Sequence, residues 1–142
     1  MVRVNICLGV DWGRRRVGVA VSDELGLLAH PLATIEARSL GDVVTRLTDL
    51  ARERGADTVV LGIPRHMNGA EGDSATAAAL LGRRLAEGGL RVEYVDERLT
   101  TVEAEARLRD GGRSARARRD RLDQAAAAVI LQTYLDARRG KS

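Results

Sequence analysis

The sequence predicts an α/β fold, a mixed sheet with helices packed on its faces. Two observations lead there: three short apolar runs follow one another in the first 36 positions with little but turn residues between them, and from position 39 onward helical and strand-like segments alternate. Size is a third. At 142 residues, 44% of them hydrophobic and 30% charged, the chain has the composition of an ordinary globular protein, with material for one core and not for two lobes.

The first run, Val4 to Val10, puts Val4, Ile6, Leu8 and Val10 on one side and Asn5, Cys7, Gly9 and Asp11 on the other, a strand buried on both faces and ending at Asp11. Val17 to Ser22 and Leu27 to Ile35 follow as the rest of a meander, parted by a turn at Asp23, Glu24 and Gly26. Ser39 is a helix N-cap with Asp42 three residues on; Val43, Val44, Leu47, Leu50 and Ala51 recur at helical spacing, and Gly55 ends the run. Thr58 to Leu61 is a short strand. An alanine-rich helix from Ser74 to Glu87 stops at Gly88 and Gly89, Leu90 to Val95 is the last strand, Thr100 with Glu103 starts a short helix, and Leu122 to Leu135 forms a long one.

Several function classes fall away. No stretch approaches the ~20 apolar residues of a membrane span, and the N-terminal apolar run is too short before its first charge for a secretory signal. Cys7 is the one cysteine, so no intramolecular disulfide forms, and a cytoplasmic location fits. Phe is absent, and Trp12, Tyr94 and Tyr134 are the only aromatics, too few for recognition of nucleic acid by base stacking. The net charge is +3, but seven arginines and two aspartates crowd into Arg107 to Arg121, so one segment carries the positive field.

Asp11 needs a reason for standing at the end of an apolar strand in "LGVDWGRRRVGVAVSD". The glycine-rich phosphate fingerprints are not matched there. In open α/β sheets the functional crevice lies at the carboxyl ends of parallel strands. Asp96 and Glu97 end the last strand, so acids share a rim with Asp11 if the two strands are parallel. Asp123 falls on one helical stripe with Ala126, Ala127, Ile130 and Tyr134, and an acid facing a sheet is costly unless paired. A divalent cation would pair it, and oxygen ligands select Mg²⁺ or Mn²⁺ over Zn²⁺. The bland alternatives are a turn residue at Asp11, an arginine partner for Glu97, and an exposed first helical turn at Asp123. Asp96 reads as structural.

With those residues in view, the sequence resembles the bacterial YqgF family, also called RuvX, through "GVDWGRRRVGVAVSD", "AHPLATI", "VVLGIPRHMNG", "VEYVDERLTTVEAE" and "LDQAAAAVILQTYLD", which span nearly the whole chain in order. The resemblance implies a single RNase H-like domain over residues 1–142, with a five-stranded mixed sheet. It also implies a metal site built from Asp11, Glu97 and Asp123. The family is generally described as nucleases that mature the 5′ end of pre-16S rRNA, and its likeness to RuvC resolvases has suggested Holliday junction cleavage. Many RNase H-like nucleases use four acids; Asp120, one turn before Asp123, is the candidate for the fourth, which leaves a second metal open.

The expected chemistry is metal-assisted phosphodiester hydrolysis by a nuclease acting on RNA or, alternatively, on structured DNA. Two ions roughly 3.5–4 Å apart would activate water on one side and stabilise the leaving oxygen on the other. Arg16 fills the family's arginine position and is expected to meet phosphate, as are Arg65 in the "GIPRHMNG" loop, Arg98, and Arg113, Arg116 and Arg118 in the basic segment; Arg14 and Arg15 read equally well as solvated turn residues. An actin-like ATPase, whose phosphate loop D-x-G-x-x-x-x-G resembles, needs a second lobe that this length does not supply. A non-catalytic RNA-binding factor is the remaining alternative, and the expected assembly is a monomer or homodimer.

The basic segment yields a prediction. If about four of its arginines contact phosphates, log affinity falls with log salt at a slope of roughly −3 for single strands. Replacing Arg113, Arg116 and Arg118 with Ala is expected to flatten that slope by about 2, measured by titrating a labelled strand at several salt concentrations. An unchanged slope would mean that the segment is only a solvated surface.

Overall fold

A computed structural model describes residues 5–13, 15–63, 69–97 and 115–140, with side chains for all of these except 69–74, 115–120 and 140. Strands β1 (Ile6–Trp12), β2 (Arg16–Ser22) and β3 (Ala29–Glu36) form the meander; helix α1 (Leu40–Arg54), β4 (Ala56–Ile63), α2 (Gly69–Glu87), β5 (Arg91–Asp96) and α3 (Ala115–Gly140) follow. The sheet order is β3-β2-β1-β4-β5. β1 pairs antiparallel with β2, and β2 with β3; β1–β4 and β4–β5 are parallel. The expected five-stranded mixed sheet is therefore present, and β1 and β5 point the same way, which puts their carboxyl ends on one rim.

Alternation along β1 divides the core. Leu8 and Val10 join Val17, Val19, Val59 and Leu61 under α1 and α2, whereas Cys7, Ala20 and Val60 pack on the other face against Ala127, Ile130, Leu131 and Leu135 of α3. Cys7 is fully buried, as a small core residue should be. The Cys7 amide donates to Ser22 Oγ at 2.8 Å, which satisfies a polar group in the interior.

The termini of α1 follow the sequence. Ser39 accepts a hydrogen bond from the Asp42 amide, and Gly55 closes the helix at φ +69°, where a side chain would be strained. Three boundaries move. α2 starts at Gly69 rather than Ser74: its two early glycines weaken helix propensity, but the turn is taken up into the helix all the same. α3 starts at Ala115 rather than Leu122, because the arginines and alanines of the basic stretch are strong helix formers whose charge reads misleadingly as loop. β3 starts at Ala29, because the Asp23 carboxylate accepts from the amides of Leu27 and Leu28 (2.9 and 3.3 Å) and holds both residues in the turn. The short helix expected at Thr100, the loop with Arg65, and Arg98 and Arg113 lie outside the described residues.

α3 lies unusually close to the sheet. A Cβ on Gly9 would come 2.6 Å from Leu131 Cβ, and one on Gly18 would fall onto the main-chain carbonyl of Asp123. Glutamines fix the helix along the other side: Gln124 Nε2 donates to Thr34 Oγ1 at 3.0 Å, while Gln132 accepts from the Ala29 amide (2.9 Å) and donates to the Leu27 carbonyl (2.8 Å).

The expected consequence is that Gly18→Ala lowers thermal stability strongly. A methyl facing a helix backbone cannot be relieved by a rotamer change, so the cost sits near the upper end of overpacking, about 3 kcal/mol, or roughly 10 °C in Tm for a chain of this size. Thermal unfolding followed by circular dichroism measures it, and an unchanged Tm would contradict the tight helix–sheet contact.

Candidate active site

Asp11 sits one residue from the end of β1, on the face covered by α3, and its register partner on β2 is Gly18. Gly18 is also where the main chain of Asp123 rests. One bare position thus brings a strand acid and a helix acid together: any side chain on Gly18 would push α3 off and carry Asp123 away. Asp123 lies in the third turn of α3, not in an exposed first turn. Its carboxylate accepts a hydrogen bond from Arg16 Nε at 2.7 Å, and the two side chains are only 20% and 30% exposed.

Glu97 follows β5 immediately, and β5 is separated from β1 by β4. Its side chain has to cross a strand to reach Asp11. Gly62 of β4 makes the crossing possible: a Cβ there would meet Glu97 Cγ at 2.8 Å and Oε1 at 3.0 Å, and would collide with Ile130 of α3. Glu97 is thereby the acid that bears most directly on Asp11.

Burial raises the Asp11 carboxyl first, and the neighbouring Glu97 and the charge of Asp123 raise it further, to about 9 from an ordinary 3.8. An acid shifted that far, at the carboxyl rim of a parallel pair, has the character of a functional group. The alternative of Asp11 as a simple turn residue is excluded by its position inside β1.

Asp11, Glu97 and Asp123 therefore meet at one rim, as expected from the sequence. Their arrangement is two-plus-one: Asp11 and Glu97 are joined, and Asp123 is joined to Arg16. Among the described residues no three acid, His or Cys side chains converge as a finished metal cage. The donor set is nevertheless all carboxylate oxygen, the kind a hard divalent cation takes, and positive charge there would relieve the strain on Asp11. The residues fit such an ion.

Arg16 was expected at phosphate and is found on Asp123. The helix backbone carries Arg116 and Arg118, which turns the second half of the basic segment into an extension of α3 pointing away from Asp123 along the chain. The sequence reading missed Gly62 as the crossing point, and it missed Gln124 and Gln132, which hold α3 in place. A glycine in an otherwise apolar strand signals close approach; no pattern distinguished the glutamines from solvated ones.

The chain matches the family model described as RuvX, Holliday junction resolvase, over residues 5–137. Two relatives carry the name "Putative pre-16S rRNA nuclease". That of Lactococcus lactis subsp. lactis is 50% identical over 135 residues, covering 92% of this chain and 93% of the relative. That of Moorella thermoacetica is 46% identical over 130 residues, covering 91% and 93%. Among solved structures, Thermus thermophilus RuvC in complex with a Holliday junction substrate superposes with a TM-score of 0.64 at 15% identity, covering 98% of each chain. The fowlpox virus resolvase bound to Holliday junction DNA gives 0.54 at 13%, covering 93% and 97%. At these identities the two structures share the fold.

Because the folded chain holds the Asp11 proton more tightly than the unfolded chain, this group's contribution to stability is full below pH 3.8 and is lost as pH rises towards about 9. In buffer containing a chelator, the wild-type Tm is expected to fall across pH 5 to 9 more steeply than that of Asp11→Asn, so that the mutant gains on the wild type as pH rises. Parallel pH profiles would show that Asp11 is not under this strain.

Proposed function

The chain belongs to the RuvX family, and we propose that it is a divalent-metal-dependent nuclease that hydrolyses phosphodiester bonds of pre-16S rRNA at the rim shared by Asp11, Glu97 and Asp123. The observation that carries the reading is the contact between Asp11 and Glu97 across Gly62. The fold brings buried like charges together there at a cost, and a nuclease recovers that cost as chemistry. The relatives' name supports the RNA substrate, at 50% and 46% identity over nearly their full lengths.

Asp11, Glu97 and Asp123 would hold Mg²⁺ or Mn²⁺. Such an ion, when bound, supplies Lewis acidity at the phosphoryl oxygen and lowers the pKa of a water. Asp11 would be the central ligand, since it neighbours both of the others. Glu97 reaches the rim over Gly62, and Asp123 is carried there by α3. Arg16, Arg65, Arg98, Arg113, Arg116 and Arg118 bind the phosphate chain; a planar guanidinium suits phosphate oxygens and carries no sequence information. No helix among the described residues is long and apolar enough to cross a membrane, and work on a ribosomal RNA precursor belongs in the cytoplasm.

A second reading is cleavage of four-way DNA junctions, favoured by the family model's description as Holliday junction resolvase. That activity calls for a two-fold dimer able to cut paired strands, whereas trimming RNA is within reach of a monomer.

The test is side-by-side cleavage of a pre-16S leader RNA and a four-way DNA junction at equal enzyme and Mn²⁺. Preferential cleavage of the RNA is expected, supported by Mg²⁺ or Mn²⁺ and poorly by Ca²⁺, whose larger shell holds geometry loosely. Asp11→Asn is expected to lower the rate ~10²-fold or more, as loss of an essential group does. Preference for the junction would move the assignment to DNA. Equal turnover in EDTA would end the metal reading, and binding without cleavage would leave an RNA-binding factor.

A further inference from the structure

Arg16 stands two residues before Gly18 on β2, on the same face of the strand. β2 therefore grips Asp123 twice: the Asp123 main chain rests on Gly18, and its Oδ2 accepts from Arg16 Nε at 2.7 Å. The ion pair is only partly exposed and is made inside the candidate site, between the acid of α3 and the strand adjacent to β1. A guanidinium keeps its charge at any pH the protein meets, so this partner is never switched off by titration.

From this geometry we propose that Arg16 is the resident cation of Asp123, a positioning residue against which a divalent ion must compete for the third carboxylate. The inference rests on the reading that Asp11, Glu97 and Asp123 hold the ion. It separates two roles for Arg16 that predict opposite signs. If Arg16 only props Asp123 in place, removing it loosens a ligand and weakens metal binding. If it competes, removing it frees Oδ2, takes a positive charge from beside the ion, and strengthens binding. Competition also gives the phosphate chain a second task. A phosphate that draws the Arg16 fork to itself releases Asp123 to the ion, so substrate and metal assist each other's binding, with the reciprocity that linkage demands.

The experiment is calorimetric titration of the full chain with Mn²⁺ alone, with no nucleic acid present, at low and high salt. Arg16→Gln is expected to bind Mn²⁺ roughly tenfold more tightly than wild type at low salt, the order of a unit charge acting on a divalent ion a few ångströms away in a water-like medium. Arg16→Lys, which keeps the charge, is expected to stay near the wild type. The difference between Arg16→Gln and wild type should shrink at high salt, as screening requires; a prop would show no such dependence. Arg16→Met serves as a second neutral variant should Arg16→Gln fail to fold, with thermal unfolding as the check. Equal or weaker Mn²⁺ binding by the folded neutral variant would overturn the competition while leaving the carboxylate site standing. Wild-type affinity in Asp11→Asn would instead remove the carboxylate site, and the inference with it.

Discussion

Everything at the rim depends on how closely α3 can lie on the sheet. Gly9 and Gly18 give the helix a lane without side chains, and the Asp123 carbonyl occupies the space over Gly18 that any other residue would fill. Since Gly18 is also the register partner of Asp11, the steric fact and the chemical one coincide. The helix does not merely cover the core on that face; its depth sets how near its carboxylate comes to the strand carboxylate. Interiors are packed too densely for such a separation to drift by an ångström without a rearrangement elsewhere.

Gly62 does for Glu97 what Gly18 does for Asp123. β4 lies between β5 and β1, and neighbouring strands are ~4.8 Å apart, so a side chain from the end of β5 has to run across the intervening strand to meet one on β1. The missing side chain at Gly62 is the path. Three acids from a strand, a strand end and a helix thus converge over positions that carry no side chain.

Convergence has an electrostatic cost that the chain meets in two ways. The Asp11 carboxyl, buried beside Glu97, is raised far above the usual range, and Asp123 is neutralised by Arg16. Neither device is a feature of a site built for stability, since a buried carboxyl pair is more easily replaced by apolar residues than maintained. Both are compatible with a centre whose working state contains additional positive charge. The polar contacts of Gln124 and Gln132 with β3 and its preceding turn hold α3 in register along its length while this cost is borne at its N-terminal half.

The sequence alone determined a good deal. The alternation of Val4 to Val10 assigned opposite faces to Leu8 and to Cys7, and the two core clusters divide along that line. Ser39 and Gly55 delimited α1, because caps are local chemistry that a few adjacent residues decide. Asp11, Glu97 and Asp123 were legible as candidates because acids at strand ends and on a helix's packed stripe violate the hydrophobic pattern. Their meeting was legible only as a condition, because it rests on β1 and β5 being parallel across β4 and on contacts between residues more than a hundred positions apart. For the same reason the bond from Arg16 to Asp123 was not legible: only the tertiary structure decides which distant carboxylate an arginine's fork will reach. Local conformational preference acts over a turn or two of chain, whereas the depth of α3 over Gly18, the route of Glu97 past Gly62 and the bond from Arg16 to Asp123 are fixed by close packing between elements, which no short stretch of sequence encodes.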